Sequence, residues 1–210
     1  MLRFIILLIL IPNLSFSQNE KSQYIDKGLL RAQGNITMGT MLDYDVSNYY
    51  IAGDLEYYTS SLISIRGSWS HFLGGGQWTN FDVNHSGVIG ALLHFPTKGK
   101  FDPYFGVEPG FAISKYNGVT GFIDPSAGVT HILTTSSYPV TVNPLFTTAL
   151  GFNFYGDRYF SIFANVRFVQ GKHYSDIAAV SLNEIKFSFG LGWHFWARKG
   201  YCKFEKPEVK

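Results

Sequence analysis

The residues best placed for chemistry are His173, Ser175 and Glu184. His173 and Ser175 alternate with Tyr174, so an extended chain puts both on one face. A nearby acid that orients the histidine would complete a nucleophile, base and orienter for ester cleavage. A His-any-Ser triplet also arises easily by chance in a Ser-rich chain. Parity counted from the preceding strand turns both residues inward. No catalytic site is therefore favoured, and the triplet stands as the alternative.

Other constellations carry less. His71, His85, His94, His131 and His194 are dispersed, with no i,i+4 pair and no cysteine partner, so no metal site is expected. Asp43, Asp45 and Ser47 hint at a calcium loop but lack the glycine and distal glutamate of an EF-hand, and a turn fits better. Gly74-Gly75-Gly76 is followed by no GK[ST] and no helical pattern, so it reads as a surface loop rather than a phosphate cradle. Cys202 is the only cysteine and can form no intrachain disulfide. No cofactor is expected.

The elements around these residues are strands. Charged residues make up 15% of the chain against 17% aromatic and 46% hydrophobic, where globular domains carry about 25% charged. That is too little charge to coat a soluble surface. The net charge of +2 gives no reason to expect a nucleic-acid partner. Met1–Ser17 reads as a signal peptide, with Arg3, an apolar run and Ser15-Phe16-Ser17 before the cut. After it no apolar run is long enough to span a membrane as a helix, which leaves a closed barrel as the membrane option.

Glu184–Trp196, EIKFSFGLGWHFW, sets the pattern. Ile185, Phe187, Phe189, Leu191, Trp193 and Phe195 share one face; Lys186, Ser188, Gly190, Gly192 and His194 share the other. Seven further runs alternate in the same way, beginning near Leu30, Tyr49, Ile63, Ser86, Tyr104, Leu145 and Phe160. In the second, Tyr49 to Tyr57 covers about 26 Å at ~3.3 Å per residue. Tilted by about 40°, that spans ~20 Å, close to an apolar belt of ~25 Å between aromatic girdles. Pro109 in the fifth run predicts a bulge. Short connections at Thr59–Ser61, Pro96–Lys100 and Tyr155–Asp157 alternate with longer ones, of which Lys115–Val142 is the longest. This is the length pattern of short periplasmic turns and long external loops. A strand extension is expected near Val129–Leu133.

Ser188, Gly190, Trp193 and Phe195 match the closing-strand assembly signal of bacterial outer-membrane barrels. The chain resembles small eight-stranded barrels of the OmpA type. The resemblance implies that the barrel-assembly machinery reads this strand, and that charges in the lumen interlock. The His173-Tyr174-Ser175 triplet with Glu184 resembles that of outer-membrane lipid A deacylases, which implies Ser175 as nucleophile, His173 as base and Glu184 as orienter.

The expected fold is all-β: a closed, antiparallel, eight-stranded, transmembrane up-and-down barrel. The expected layout is signal peptide 1–17, periplasmic lead-in 18–27, barrel 28–196 and periplasmic tail 197–210. The aromatic face carries more bulk than an eight-stranded interior can hold, so it faces lipid. Arg31, Asp54, Glu56, Arg66, Glu108, Arg167 and Lys186 then line the lumen and are expected to pair as a plug. The expected function is a non-enzymatic outer-membrane protein with both termini periplasmic, acting through its long external loops. The alternatives are a lipid A deacylase-like hydrolase and a small-solute or ion channel. Expected partners are outer-membrane lipid and lipopolysaccharide, the barrel-assembly machinery, and a protein at the loops or the C-terminal tail.

Overall fold

A computed structural model describes residues 24–44, 46–76, 81–95, 100–122, 132–157, 159–176 and 179–196. The expected signal peptide, the Pro96-to-Gly99 turn residues and the C-terminal tail with Cys202 lie outside the described residues, as do Asp45 and His131.

Alternation builds the strands. They are β1 Leu29–Met41, β2 Ser47–Tyr58, β3 Ile63–Gly75, β4 Phe81–His94 and β5 Phe101–Phe122, followed by β6 Ile132–Ser137, β7 Thr141–Asp157, β8 Phe160–His173, β9 Val180–Ser181 and β10 Glu184–Trp196. Eight of them close a ring in the order β10-β1-β2-β3-β4-β5-β7-β8 and back to β10. Every pairing in the ring is antiparallel. The seam joins the first and last strands in unbroken register, from Leu29 opposite Trp196 to Met41 opposite Glu184. β6 branches off as a hairpin with the end of β5, and β9 pairs with the end of β8.

A closed sheet has only an inside and an outside, so alternation sorts the side chains completely. Large apolar residues face out, with Ile36 74%, Phe189 64% and Trp193 48% exposed. Polar and charged residues face in and are buried. The tyrosine doublets of β2 divide between the two sides. Tyr49 and Tyr57 are exposed as girdle residues, whereas Tyr50 and Tyr58 are fully buried in the lumen.

Several details differ from the sequence reading. Pro109 makes no bulge: Val88 pairs with Gly110 and Ala91 with Val107, so the register is the same on both sides of it. The intervening positions drop out of the β4–β5 ladder, while Pro109 stays in register with Phe146 on the other side. A proline removes a donor without requiring an extra residue. The register shifts lie elsewhere: in β4 between Phe81 and Val83, in β7 between Tyr155 and Asp157, and in β3 at Leu73, between the pairs Tyr49–Gly74 and Tyr50–Phe72, where Gly74 has a φ of 138° that favours glycine. The turn expected at Tyr155–Asp157 is moved on: these residues belong to β7, and Tyr155 pairs with Ser161 and points inward.

The strands also run further at the end away from the termini. β3 runs to Gly75, into the glycine run expected as a surface loop, β4 starts at Phe81, and β5 continues to Phe122. The hairpin strand β6 pairs Ile132–Ser137 with Asn117–Phe122; it shares Ile132 and Leu133 with the extension expected near Val129–Leu133, whose first three residues lie outside the described residues. The lead-in is not loose where it is described. Ile25 is buried and Tyr24 stacks on Tyr155 at 5.4 Å and 9°.

Candidate functional site

The lumen is where the polar face of every barrel strand converges. An apolar cluster sits at each end of it. At the terminus end Ile25, Leu29, Tyr58 and Tyr155 pack together, with Tyr24 against them. At the far end the cluster includes Met41, Phe72, Phe81, Tyr138, Leu145 and Leu182.

Between the clusters lie the charges. Arg31 Nη2 donates to Glu56 Oε2 at 2.6 Å, and its Nη1 donates to Tyr155 OH at 3.0 Å. Arg66 Nε donates to Glu108 Oε1 at 2.8 Å and lies over the Tyr104 ring. Arg167 Nη2 donates to Asp54 Oδ1 at 2.9 Å, and its Nε lies 3.8 Å from Glu108 Oε2. Lys186 Nζ lies 3.6 Å from Glu184 Oε2 and 3.8 Å from the centre of the Tyr50 ring. All seven expected lumen charges are therefore inside, buried and facing opposite charges. Burial makes this pairing obligatory, because an unpartnered charge in a dry site is far costlier than a matched one. Neutral groups extend the network. Ser188 and Thr37 share a 2.7 Å hydrogen bond, Thr37 donates to Asn35, and Asn35 donates to Asp54.

Three acidic or titratable members were not placed in the lumen from sequence. His94 lies between Glu56 at 2.9 Å and Asp102 at 3.0 Å. Asp102 also accepts from Asn153 Nδ2 at 3.0 Å. Glu184 accepts from Asn48 at 3.0 Å and from Tyr50 at 2.9 Å. Parity could have found each of them: His94 alternates with the outward Leu93 and Phe95, and Glu184 shares a face with Lys186.

The candidate catalytic residues have other partners. His173 Nδ1 meets Ser114 Oγ at 2.9 Å and Thr141 Oγ1 at 3.0 Å, while its buried Nε2 has no hydrogen-bond partner among the described residues. The partners of Glu184 are Asn48 and Tyr50 of β2 and Lys186, two residues along its own strand. No His173–Glu184 hydrogen bond joins the set.

Asp43 ties two connections together by accepting from Ser181 Oγ and from Asn183 Nδ2 at 3.2 Å. Among the described residues no group of three or more His, Cys, Asp or Glu side chains is arranged to hold a metal ion. His71 and His85, far apart in the chain, stack at 4.3 Å across neighbouring strands.

The residues of the assembly-signal match lie at the seam. Ser188 and Gly190 face the lumen, and Trp193 and Phe195 face out. A Cβ at Gly190 would sit 2.2 Å from the Gly34 carbonyl oxygen and 2.7 Å from Asn35 Cβ. The glycine lets β10 lie this close to β1.

A closed eight-stranded meander, apolar outside and polar within, is the fold of the small barrels of bacterial outer membranes. Two solved structures are similar to it. The outer membrane protein OprG from Pseudomonas aeruginosa superimposes with a TM-score of 0.57 at 12% identity, covering 84% of this chain and 100% of that one. Neisserial surface protein A superimposes with a TM-score of 0.55 at 11% identity, covering 80% of this chain and 96% of that one. At these identities the likeness is one of fold. Neither a protein-family model nor a curated protein matches the sequence.

Proposed function

We propose that the chain is a non-enzymatic barrel of the bacterial outer membrane, with both termini in the periplasm, that acts as a surface-interaction protein through its external connections. The observation that carries this reading is the lumen itself. It is filled by paired charges and has an apolar cluster at each end. Eight strands enclose just enough room for side chains, and here side chains occupy it. A solute path would require Tyr155, Arg31 and Glu56 to move together. The longest connection, rising on the β5–β6 hairpin at the end away from the termini, is the part best placed to meet a partner. The surrounding partners on this reading are lipid and lipopolysaccharide at the outward aromatic belt, and the barrel-assembly machinery at β10.

The test is planar-bilayer recording of the purified barrel together with surface labelling of cysteines introduced into the β5–β6 hairpin in whole cells. Silent bilayers and labelling without cell lysis are expected. Steady conductance steps would sink the plugged reading, and label blocked in intact cells would sink the orientation.

A further inference from the structure

The buried charges in the lumen do not balance as they stand. Among the described residues the permanent cations are Arg31, Arg66, Arg167 and Lys186, and the carboxylates are Asp54, Glu56, Asp102, Glu108 and Glu184. Four cations thus face five anions in a space with little water to screen the difference. Field lines in such a site are not dispersed, and one surplus charge is expensive.

The hydrogen-bond geometry around one ring shows where the missing charge resides. Ser64 Oγ donates its only proton to Glu56 Oε1 at 2.6 Å. The 2.9 Å contact between Ser64 Oγ and His94 Nε2 therefore needs a proton on the ring nitrogen, as does the 2.9 Å approach of Nε2 to Glu56 Oε1. On the other side Nδ1 lies 3.1 Å and 3.0 Å from the two oxygens of Asp102. A bare Nδ1 lone pair cannot face a carboxylate at that distance, so this nitrogen carries a proton too. The other groups around the ring fit this assignment. Tyr58 and Tyr155 direct their hydroxyls to Asp102, Tyr104 lies beside the ring, and Arg31 bonds the far oxygen of Glu56. The two other buried histidines differ: His173 Nδ1 meets hydroxyls, and His194 Nε2 meets Ser161 Oγ at 3.0 Å.

We propose that His94 is a built-in imidazolium, the fifth cation of the lumen, whose second proton clasps β2 to β5 at the terminus end by bridging Glu56 and Asp102. The clasp is a proton-operated device. Removing the proton leaves two carboxylates on either side of a neutral ring, in the part of the lumen that the docked Tyr24–Ile25 segment covers.

The test uses the whole chain folded in detergent micelles with 15N-labelled histidine, its resonances assigned by replacing the other histidines one at a time. At about pH 8 an ordinary imidazole is mostly neutral. His94 is expected to show both ring nitrogens protonated under that condition. Asp102→Asn removes one of the two anions and is expected to return His94 to a single-proton tautomer at the same pH. Either a neutral His94 in the unaltered barrel, or a doubly protonated His94 that is indifferent to Asp102→Asn, would overturn the proposal. The first measurement reads the charge state in the unaltered barrel and does not depend on Asp102→Asn folding.

Discussion

Replacing Glu108 by glutamine removes the anion that Arg66 and Arg167 share. Glu108 Oε1 accepts from Arg66 Nε at 2.8 Å, its other oxygen lies 3.8 Å from Arg167 Nε, and all three side chains are buried. At ~3 Å and an effective dielectric of about 20, the lost attraction is about 5 kcal/mol. The desolvation already spent on the carboxylate is recovered, but Arg66 stays buried without its counter-ion, and such truncations cost about 3–5 kcal/mol. The pair as a unit contributes far less than either half suggests, because well-packed apolar replacements of buried ion pairs are often neutral. Glu108→Gln should therefore destabilise the barrel by about 3–5 kcal/mol, and Arg66→Met combined with Glu108→Leu should recover most of that loss. The assay is reversible urea unfolding in lipid vesicles, followed by tryptophan fluorescence. Trp69 and Trp193 report it well, since both face outward. A single-variant loss below about 1 kcal/mol, the range of solvated surface pairs, would refute the dry-lumen reasoning. So would a double variant that loses the sum of the two singles.

Three further outcomes follow from particular contacts. Gly190→Ala forces a methyl against the Gly34 carbonyl at the seam, and overpacking of this kind should lower stability by about 1–3 kcal/mol in the same urea assay. Ile25→Ala opens a hole in the cluster under Tyr155; a loss of about 2–5 kcal/mol is expected, whereas a lead-in without contacts would give none. Ser175→Ala should leave the acyl content of lipid A unchanged by mass spectrometry, and a change would revive the hydrolase alternative.

The legibility of the sequence followed the lipid. Ile185 to Phe195 is readable to the residue because each outward position there is large and apolar and each inward one small or polar. The same contrast located Arg31, Asp54, Glu56, Arg66, Glu108, Arg167 and Lys186, since a charge amid outward apolar residues can only point in. Beyond the belt the outer face no longer needs to be apolar, and the contrast fades. Backbone pairing still carries the strands there, so Asn117–Phe122 and the end of β3 looked like loop. Pro109 misled because the missing donor was read as a missing register. Glu184 was read as an orienter for His173, although its parity with Lys186 already set it in the lumen. The partners of His94 were harder to read: Glu56, Ser64 and Asp102 come from three strands, and the side-by-side pairing of β2, β3, β4 and β5 assembles them.

The seam between β1 and β10 has a kinetic corollary. Leu29 meets Trp196, so the first strand to be made waits for the last before its open flank is covered. Until then both flanks are raw strand edges that any neighbouring chain could extend. A shortened product lacking β10 could not shield itself, and long-range pairings of this kind form slowly. A factor that held β10 until the seam pairs would keep one of those edges covered, which is the physical use the proposed reading gives to a recognisable strand at the end of the ring.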